Sequence, residues 1–362
     1  MKKLAIFPFI YEYRELIMYS DYIKNYELTS CITLNEADTQ CLRKEFGAVS
    51  SIRISEEFDG AIEDCDIVLY MYNPDILLGK EEYQNKIART RQLGKDVLFS
   101  RECHEYLYSE EMKENSILDA GNWNINIFLD EKVQYLKSIE IPAIGIMGLG
   151  RFCNKFCTEL EVCEFFKAKG YKVLHFGSKE WVNLYGGRLI PGFIFERSVS
   201  VTTRILKWNQ YLFDVCNKEQ PDLVIIGMPG GIMPLNNKIL NDYGEVPFIL
   251  ANGIKMDIGI LCAFFYEQVD EKYFDEYRNY CKYKMNCPVD FINISNTSCR
   301  FNLDSQESIL EYLHYKNNIS NYTVITGKVE GSSEIYNILD ENSRKKLLTR
   351  IYEQLTSGVS VF

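Results

Sequence analysis

The chain of 362 residues carries a net charge of −11 and is 46% hydrophobic and 25% charged. These fractions are ordinary for a globular protein and exclude a chain that is disordered over its length. The negative charge repels nucleic-acid backbones and anionic lipid headgroups, so we expect neither nucleic acid nor a membrane surface as a partner. The length fits two domains, each with its own core.

The N-terminal sequence begins like an export signal, but its apolar run stops at Tyr11 and Glu12 and offers no small-residue cleavage site. We therefore expect a reducing, cytoplasmic compartment, in which the twelve cysteines remain thiols. The cysteine spacings contain no CxxC pair and the chain has three histidines, so we expect no metal site.

The first part of the chain alternates short apolar runs with amphipathic stretches. The predicted strands cover 4–9, 30–34, 51–54, 67–72 and 97–100, and the predicted helices cover 14–24, 58–64 and 82–93. This order predicts a Rossmann-like α/β domain over residues 1–135, with helices on both faces of a small, mainly parallel sheet. No glycine-rich loop follows its first strand, so nothing indicates that this domain binds a nucleotide.

The alternation weakens between residues 102 and 141 and then returns, which predicts a second α/β domain over residues 140–362. Its predicted strands cover 143–147, 173–176, 223–226, 248–251, 290–294 and 322–325, and its predicted helices cover 154–169, 199–217 and 341–355. We expect a mainly parallel, P-loop-like sheet here as well.

A glycine-rich turn joins the first strand of this second domain to the following helix. Gly148 and Gly150 would let backbone N–H groups converge on an anion, and Lys155 would stand at the first helical turn, where a P-loop lysine reaches phosphates. Asn154 stands before the lysine, where a P-loop has glycine, and asparagine tolerates the left-handed conformation that glycine supplies there. The pattern predicts a phosphate-binding loop.

The same turn departs from a P-loop where magnesium would bind. A P-loop lysine is followed by Ser or Thr, but Phe156 stands here, and a helical Thr158 points about 200° away from that position. Two alternatives stay open at this point. One is a GxGxxC variant of the Rossmann fingerprint, which lacks an acid for a ribose after the next strand, and the other is a glycine turn that binds nothing.

Two further segments extend the pattern: DLVIIGMPGGIMPL at 222–235 and VPFILANGIKMDIGILCAF at 246–264. With the loop, they resemble the amidoligase branch of P-loop proteins, dethiobiotin synthetase and its relatives, over residues 142–265. The resemblance implies a site formed by the loop, the turn at Gly230 and Gly231, and the segment ending at Lys255. It also implies that Gly227 replaces a magnesium-binding carboxylate. We therefore expect the site to bind a nucleotide or a CoA-type phosphate ligand with little dependence on magnesium. We expect negligible ATP hydrolysis for the same reason.

Three other residues are candidates for the site. Ser178 follows the second strand of this domain, at the edge where open α/β sheets bind ligands. Two acids could replace the carboxylate that is missing at Gly227. Asp257, two residues beyond Lys255, is a better candidate than Asp222, which precedes its strand. His175 lies inside a strand, a position more typical of a packed histidine than of a catalytic base.

The whole chain resembles the peptide maturation system proteins, which are encoded beside ribosomally made peptides and their modifying enzymes. The segments that carry this resemblance are AIFPFIYEYR, GIMGLGRFCNKF, YKVLHFGSKEW and IIGMPGGIMP. It implies an accessory role, with a precursor peptide and a peptide-modifying enzyme as partners. The alternatives are an active amidoligase- or acyltransferase-type enzyme that uses ATP or acyl-CoA, and a non-catalytic scaffold that binds the peptide or the enzyme.

Overall fold

A computed structural model describes residues 1–48, 50–74, 76, 78–108, 118, 125, 127, 135–301, 310–315, 324–326 and 335–357. The chain divides into two compact units, Met1–Asn124 with Glu180–Leu189, and Ile125–Lys179 with Ile190–Phe362. The predicted domain boundary near residue 135 does not indicate that Glu180–Leu189 belongs with the first unit. Within the described ranges, no helix has the length and apolar character needed to cross a membrane.

The first unit is built on a five-stranded parallel sheet. Its strands are β1 (Lys2–Phe7), β2 (Tyr26–Ile32), β3 (Arg53–Ser55), β4 (Ile67–Tyr70) and β5 (Asp96–Phe99), in the order β3-β2-β1-β4-β5. Its helices are α1 (Glu15–Met18), α2 (Glu36–Phe46), α3 (Phe58–Ala61), α4 (Lys80–Gln92) and α5 (Arg101–Leu107). This strand order is that of the doubly wound dinucleotide-binding folds. Phe7, Tyr70, Tyr83 and Phe99 are the largest side chains of its core.

The remaining elements follow in chain order. The strands are β6 (Ala143–Gly148), β7 (Val173–Gly177), β8 (Arg188–Leu189), β9 (Leu223–Gly227), β10 (Ile258–Ala263), β11 (Gln268–Asp270), β12 (Phe291–Ile294), β13 (Thr297–Phe301), β14 (Leu310–His314), β15 (Val324–Thr326) and β16 (Ile335–Tyr336). The helices are α6 (Lys155–Ala168), α7 (Val201–Glu219), α8 (Glu245–Asn252), α9 (Glu271–Lys284) and α10 (Glu341–Thr356).

The main sheet of the second unit is parallel and contains β16-β12-β10-β6-β9-β7 in that order. Strands β6, β9 and β10 are buried along their whole length, which is why their sequences are continuous apolar runs rather than alternating ones. After β6 the chain forms β7 and β9 on one side and then returns to form β10 and β12 on the other. The reversal point of the sheet is therefore β6.

The predicted fold class, α/β with mainly parallel sheets, is confirmed. The run at 248–251, predicted as a strand, lies instead in helix α8. Helix α2 and the strand that follows α8, β10, have no counterpart among the predicted elements. A short apolar run has no periodicity that separates a buried strand from a buried helix. This difference matters for the site: Lys255 and Asp257 were expected to follow a strand, but they precede strand β10.

Alanine substitutions at two paired glycines of this sheet would measure how tightly the sheet is packed. Gly145 on β6 pairs in register with Gly259 on β10. A Cβ at Gly259 would lie 1.7 Å from the backbone oxygen of Pro288, whereas a Cβ at Gly145 would meet only side-chain ends, the nearest at 3.1 Å. We expect Gly259→Ala to lower the free energy of unfolding by about 1–3 kcal/mol or more. Gly145→Ala should cost less than about 1 kcal/mol. Equal losses for the two variants in urea denaturation would contradict this packing.

Candidate functional site

The candidate site lies at the carboxyl edge of the second unit's main sheet. Parallel strands end at the same edge, so the segments that follow β6, β7 and β9 all begin there. These segments are the loop from Leu149 to Asn154, the residue Ser178, and the turn from Met228 to Gly231. Open α/β sheets bind ligands at this edge, at the point where the strand order reverses.

The loop after β6 keeps the shape of a phosphate-binding turn although it lacks the usual glycine. Asn154 adopts the left-handed conformation, with φ 60° and ψ 29°, and helix α6 begins at the next residue. Phe152 is also left-handed, with φ 61°. A Cβ at Gly148 would lie 2.5 Å from Cys153 Sγ and 2.6 Å from Lys155 Cδ. Only glycine at this position lets the lysine side chain fold back across the end of β6.

Lys155 connects the loop to the turn after β9. Its ammonium group donates a hydrogen bond to the backbone oxygen of Gly230, which is itself left-handed with φ 76°. The backbone N–H of Ile232 donates to the Gly148 oxygen at 3.0 Å, which ties the turn to the end of β6. Burial lowers the pKa of Lys155 from its usual value. The loop, the lysine and the Gly230 turn therefore form one continuous structure.

Several hydrogen-bond donors of the loop have no acceptor in the described part of the chain. The backbone N–H groups of Gly150, Cys153 and Asn154 donate no hydrogen bond there. The Asn154 side-chain Nδ2 is buried and also lacks a partner. Buried polar groups in folded proteins are almost always paired, and a row of backbone N–H groups before a helix is a typical anion site. The loop can therefore accept an anion.

A carboxylate that the sequence did not predict lies beside the loop. Glu159 is fully buried on α6, one helical turn after Lys155. Its carboxylate accepts hydrogen bonds from the Ser178 hydroxyl at 2.5 Å and from the Ser178 backbone N–H at 3.0 Å. A Cβ at Gly227 would lie 2.0 Å from Glu159 Cδ. Glu159 thus fills the space of the acid that is missing at position 227, and a side chain at 227 would have to displace it.

His175 holds the other side of the same carboxylate. Its Nε2 lies 3.3 Å from Glu159 Oε2, and the imidazole is only 2% exposed. Burial alone lowers the pKa of His175, but the nearby Cys163 and Glu159 raise that pKa to about 9. The direction of this shift favours a protonated imidazole whose Nε2 faces Glu159. Burial raises the pKa of the Cys163 thiol, but His175 and Lys167 lower it by more, so the net shift is downward.

The structure does not bring all the predicted residues to this edge. Lys255 and Asp257 precede β10, at the amino edge, because the segment before them is a helix and not a strand. Asp257 accepts a hydrogen bond from the Ala143 backbone N–H at 2.9 Å, where β6 begins. Thr158 is buried beneath the loop, and its hydroxyl donates to the Asn154 oxygen at 2.9 Å. The acid that lies at the carboxyl edge is Glu159 and not Asp257.

Comparisons with known proteins give a fold and no family. No protein-family model matches the chain, and no curated protein matches it. Among solved structures, it is similar to the crystal structure of a DUF1611 family protein from Anabaena variabilis. The similarity has a TM-score of 0.52 and a sequence identity of 13%, and it covers 82% of this chain and 88% of that one. The two proteins share an α/β fold.

The buried pair of Glu159 and His175 predicts a pH dependence of stability. A folded-state pKa of about 9 lies above the ordinary histidine value of 6.5, so folding favours the protonated imidazole. The resulting stability is complete below about pH 6.5 and is lost as the pH rises through about 9, with a size on the order of 3 kcal/mol. Urea unfolding of the wild type and of His175→Gln between pH 6 and 10 measures it. The difference in free energy of unfolding between the wild type and His175→Gln should shrink as the pH rises. A difference that stays constant would show that His175 is neutral.

Proposed function

We propose that the loop from Gly148 to Lys155 binds a phosphate group of a nucleotide or of a CoA-type ligand. The observation that carries this proposal is the set of unused N–H groups at Gly150, Cys153 and Asn154, placed beside the ammonium group of Lys155. Backbone N–H groups and a lysine are the donors with which P-loops recognise phosphate. An empty glycine turn would leave these N–H groups and the buried Asn154 Nδ2 without acceptors.

We further propose that the chain serves as an accessory protein in the maturation of a ribosomally made peptide, with a precursor peptide and its modifying enzyme as partners. This part rests on the resemblance of the four segments given above. A cytoplasmic location belongs to the same proposal.

One observation favours a second candidate, an active enzyme of the amidoligase or acyltransferase type. Such an enzyme needs an acidic group close to the bound phosphate or acyl group. Position 227 offers none, but Glu159 and the hydroxyl of Ser178 stand at the same edge of the sheet. ATP hydrolysis or acyl transfer that is lost in Glu159→Gln, in protein that remains folded, would favour this candidate.

The binding proposal predicts a specific loss when the lysine is removed. One charge-assisted contact to phosphate contributes on the order of 1.5–3 kcal/mol, so Lys155→Ala should weaken binding roughly 10- to 150-fold. Calorimetric titration with ATP, ADP and acetyl-CoA measures the dissociation constants. Lys255→Ala is a matched control, because that lysine is exposed and precedes β10 at the opposite edge.

Three results would count against the proposal. The first is an absence of binding for all three ligands, and the second is an equal loss of affinity in the two lysine variants. The third is a Lys155→Ala protein that binds as tightly as the wild type. Circular dichroism and the urea midpoint of each variant show whether a loss of affinity comes from a loss of folded protein.

A further inference from the structure

We infer that a cavity of the second unit binds the carboxyl-terminal end of a peptide. The cavity has a volume of about 370 Å³, and its lining includes Phe195, Arg197, Arg204, Asp242, Tyr243 and Glu245. This volume lies within the range of ligand sites in proteins. The inference rests on the proposed function only in that a peptide is the partner, and it does not depend on phosphate binding at the loop.

The buried guanidinium of Arg204 carries the argument. The residue is 3% exposed, its Nη1 donates to the Ile194 oxygen at 2.9 Å, and its Nη2 donates to Glu245 Oε1 at 2.7 Å. Its Nε is buried and has no acceptor in the described part of the chain. A buried donor of a charged group that lacks an acceptor is costly, and a guanidinium matches the two oxygens of a carboxylate. We therefore expect a carboxylate of the ligand beside Arg204.

A second arginine of the lining is exposed and loosely held. Arg197 forms an ion pair with Asp242 at 3.0 Å, and 76% and 73% of the two side chains are exposed. Such a pair contributes little to stability, because water screens both charges. The ligand carboxylate can therefore replace Asp242 on Arg197. Asp242 and the part-exposed carboxylate of Glu245 can then accept backbone N–H groups of the ligand.

The charges of the lining distinguish this ligand from the one proposed for the loop. Two arginines face two acids, Asp242 and Glu245, so the lining has no net charge. The two carboxylates repel a polyanion such as a nucleotide triphosphate. A group with one carboxylate and neighbouring N–H donors, which is the end of a peptide, complements both signs of charge.

Two aromatic rings add an apolar part to the lining. Tyr243 is 62% exposed and Phe195 is 39% exposed, so both rings present apolar area at the surface. Aromatic rings of this kind are typical of protein–peptide contacts, because they offer a large area at little entropy cost. We expect them to contact an apolar side chain on the last residue of the peptide. A cavity whose lining is exposed on one side also leaves room for the rest of the peptide.

The test compares two peptides that differ only at their end. Tetraglycyl-phenylalanine with a free carboxylate and the same peptide with a carboxamide end are titrated into the full chain by calorimetry. We expect the wild type to bind the free acid roughly tenfold or more tightly than the amide, because the amide loses a charge-assisted contact. Arg204→Lys keeps the charge but loses the planar fork, and should bring this ratio close to one. Arg197→Gln should lower the ratio as well, and its exposed position makes a loss of folding unexpected.

The contribution of the ring is measured at Tyr243. Its φ of 54° is a conformation that glycine adopts without strain, so Tyr243→Gly removes the ring and keeps the backbone. This variant should bind the free acid and the amide more weakly by the same factor, because the ring contacts the side chain and not the carboxylate. Circular dichroism and the urea midpoint show that each variant is folded.

A matched control separates Arg197 from any exposed arginine in an ion pair. Arg89 pairs with Asp59 at 2.8 Å in the first unit, and both side chains are about half exposed. Arg89→Gln should leave both affinities unchanged.

Four results would overturn the inference. They are no binding of the free acid by the wild type, equal affinities for acid and amide, a ratio that survives in both arginine variants, and free phenylalanine that binds as tightly as the peptide. The last result would assign the cavity to an amino acid instead of a peptide end. Titrations with ATP, ADP and acetyl-CoA test the loop separately, so a failure at the cavity leaves the phosphate proposal standing, and the reverse also holds.

Discussion

The contact between the Glu159 carboxylate and Gly227 is the constraint on which the arrangement of the site depends. A Cβ at position 227 would overlap the carboxylate at 2.0 Å, so the strand β9 must end in glycine for helix α6 to pack there. Once the helix is in this position, its first residue, Lys155, reaches the turn after β9, and Glu159 reaches the residue after β7. One helix thereby brings together the ends of three strands.

The buried position of Glu159 is stable because both of its oxygens are engaged. A carboxylate transferred from water into a protein interior is costly unless it is paired and hydrogen-bonded. Protonated His175 provides the opposite charge, and Ser178 provides two hydrogen bonds. Removing one partner of a buried pair leaves the other charge uncompensated and costs about 3–5 kcal/mol.

The sequence was sufficient for the parts of the site that depend on local geometry. A strand, a glycine turn and a lysine at the start of a helix are contiguous in the chain, and the left-handed conformation of Asn154 follows from its place before that helix. The carboxylate could not be found in this way, because its position depends on how α6 packs against β9. Glu159 has a sequence signal only in retrospect: it is an acid on a helix whose neighbouring residues are almost all buried.

The differences from the predicted elements have two physical causes. The sequence of helix α2 is mostly polar, with only Thr39, Leu42 and Phe46 buried along it, so its periodicity does not predict a helix. The four apolar residues at 248–251 fit a helix as well as a strand, and the strand assignment puts Lys255 and Asp257 at the carboxyl end of a strand, whereas they precede β10. A correct strand boundary is thus a condition for any prediction of a site at a sheet edge.

Backbone strain is concentrated behind the Gly230 turn, at the carboxyl edge of the sheet. Asn241, Asp242 and Tyr243 are three successive non-glycine residues in the left-handed region, with φ of 47°, 47° and 54°. Each such residue costs on the order of 1–3 kcal/mol and persists only where the surroundings enforce it. One cause of the strain is visible at Asn241, whose Nδ2 donates to the oxygens of Leu149 at 3.1 Å and Met233 at 2.8 Å, one in the loop after β6 and one beyond the turn. The strained segment therefore fixes the distance between the loop and the turn, which would preorganise the phosphate site proposed above.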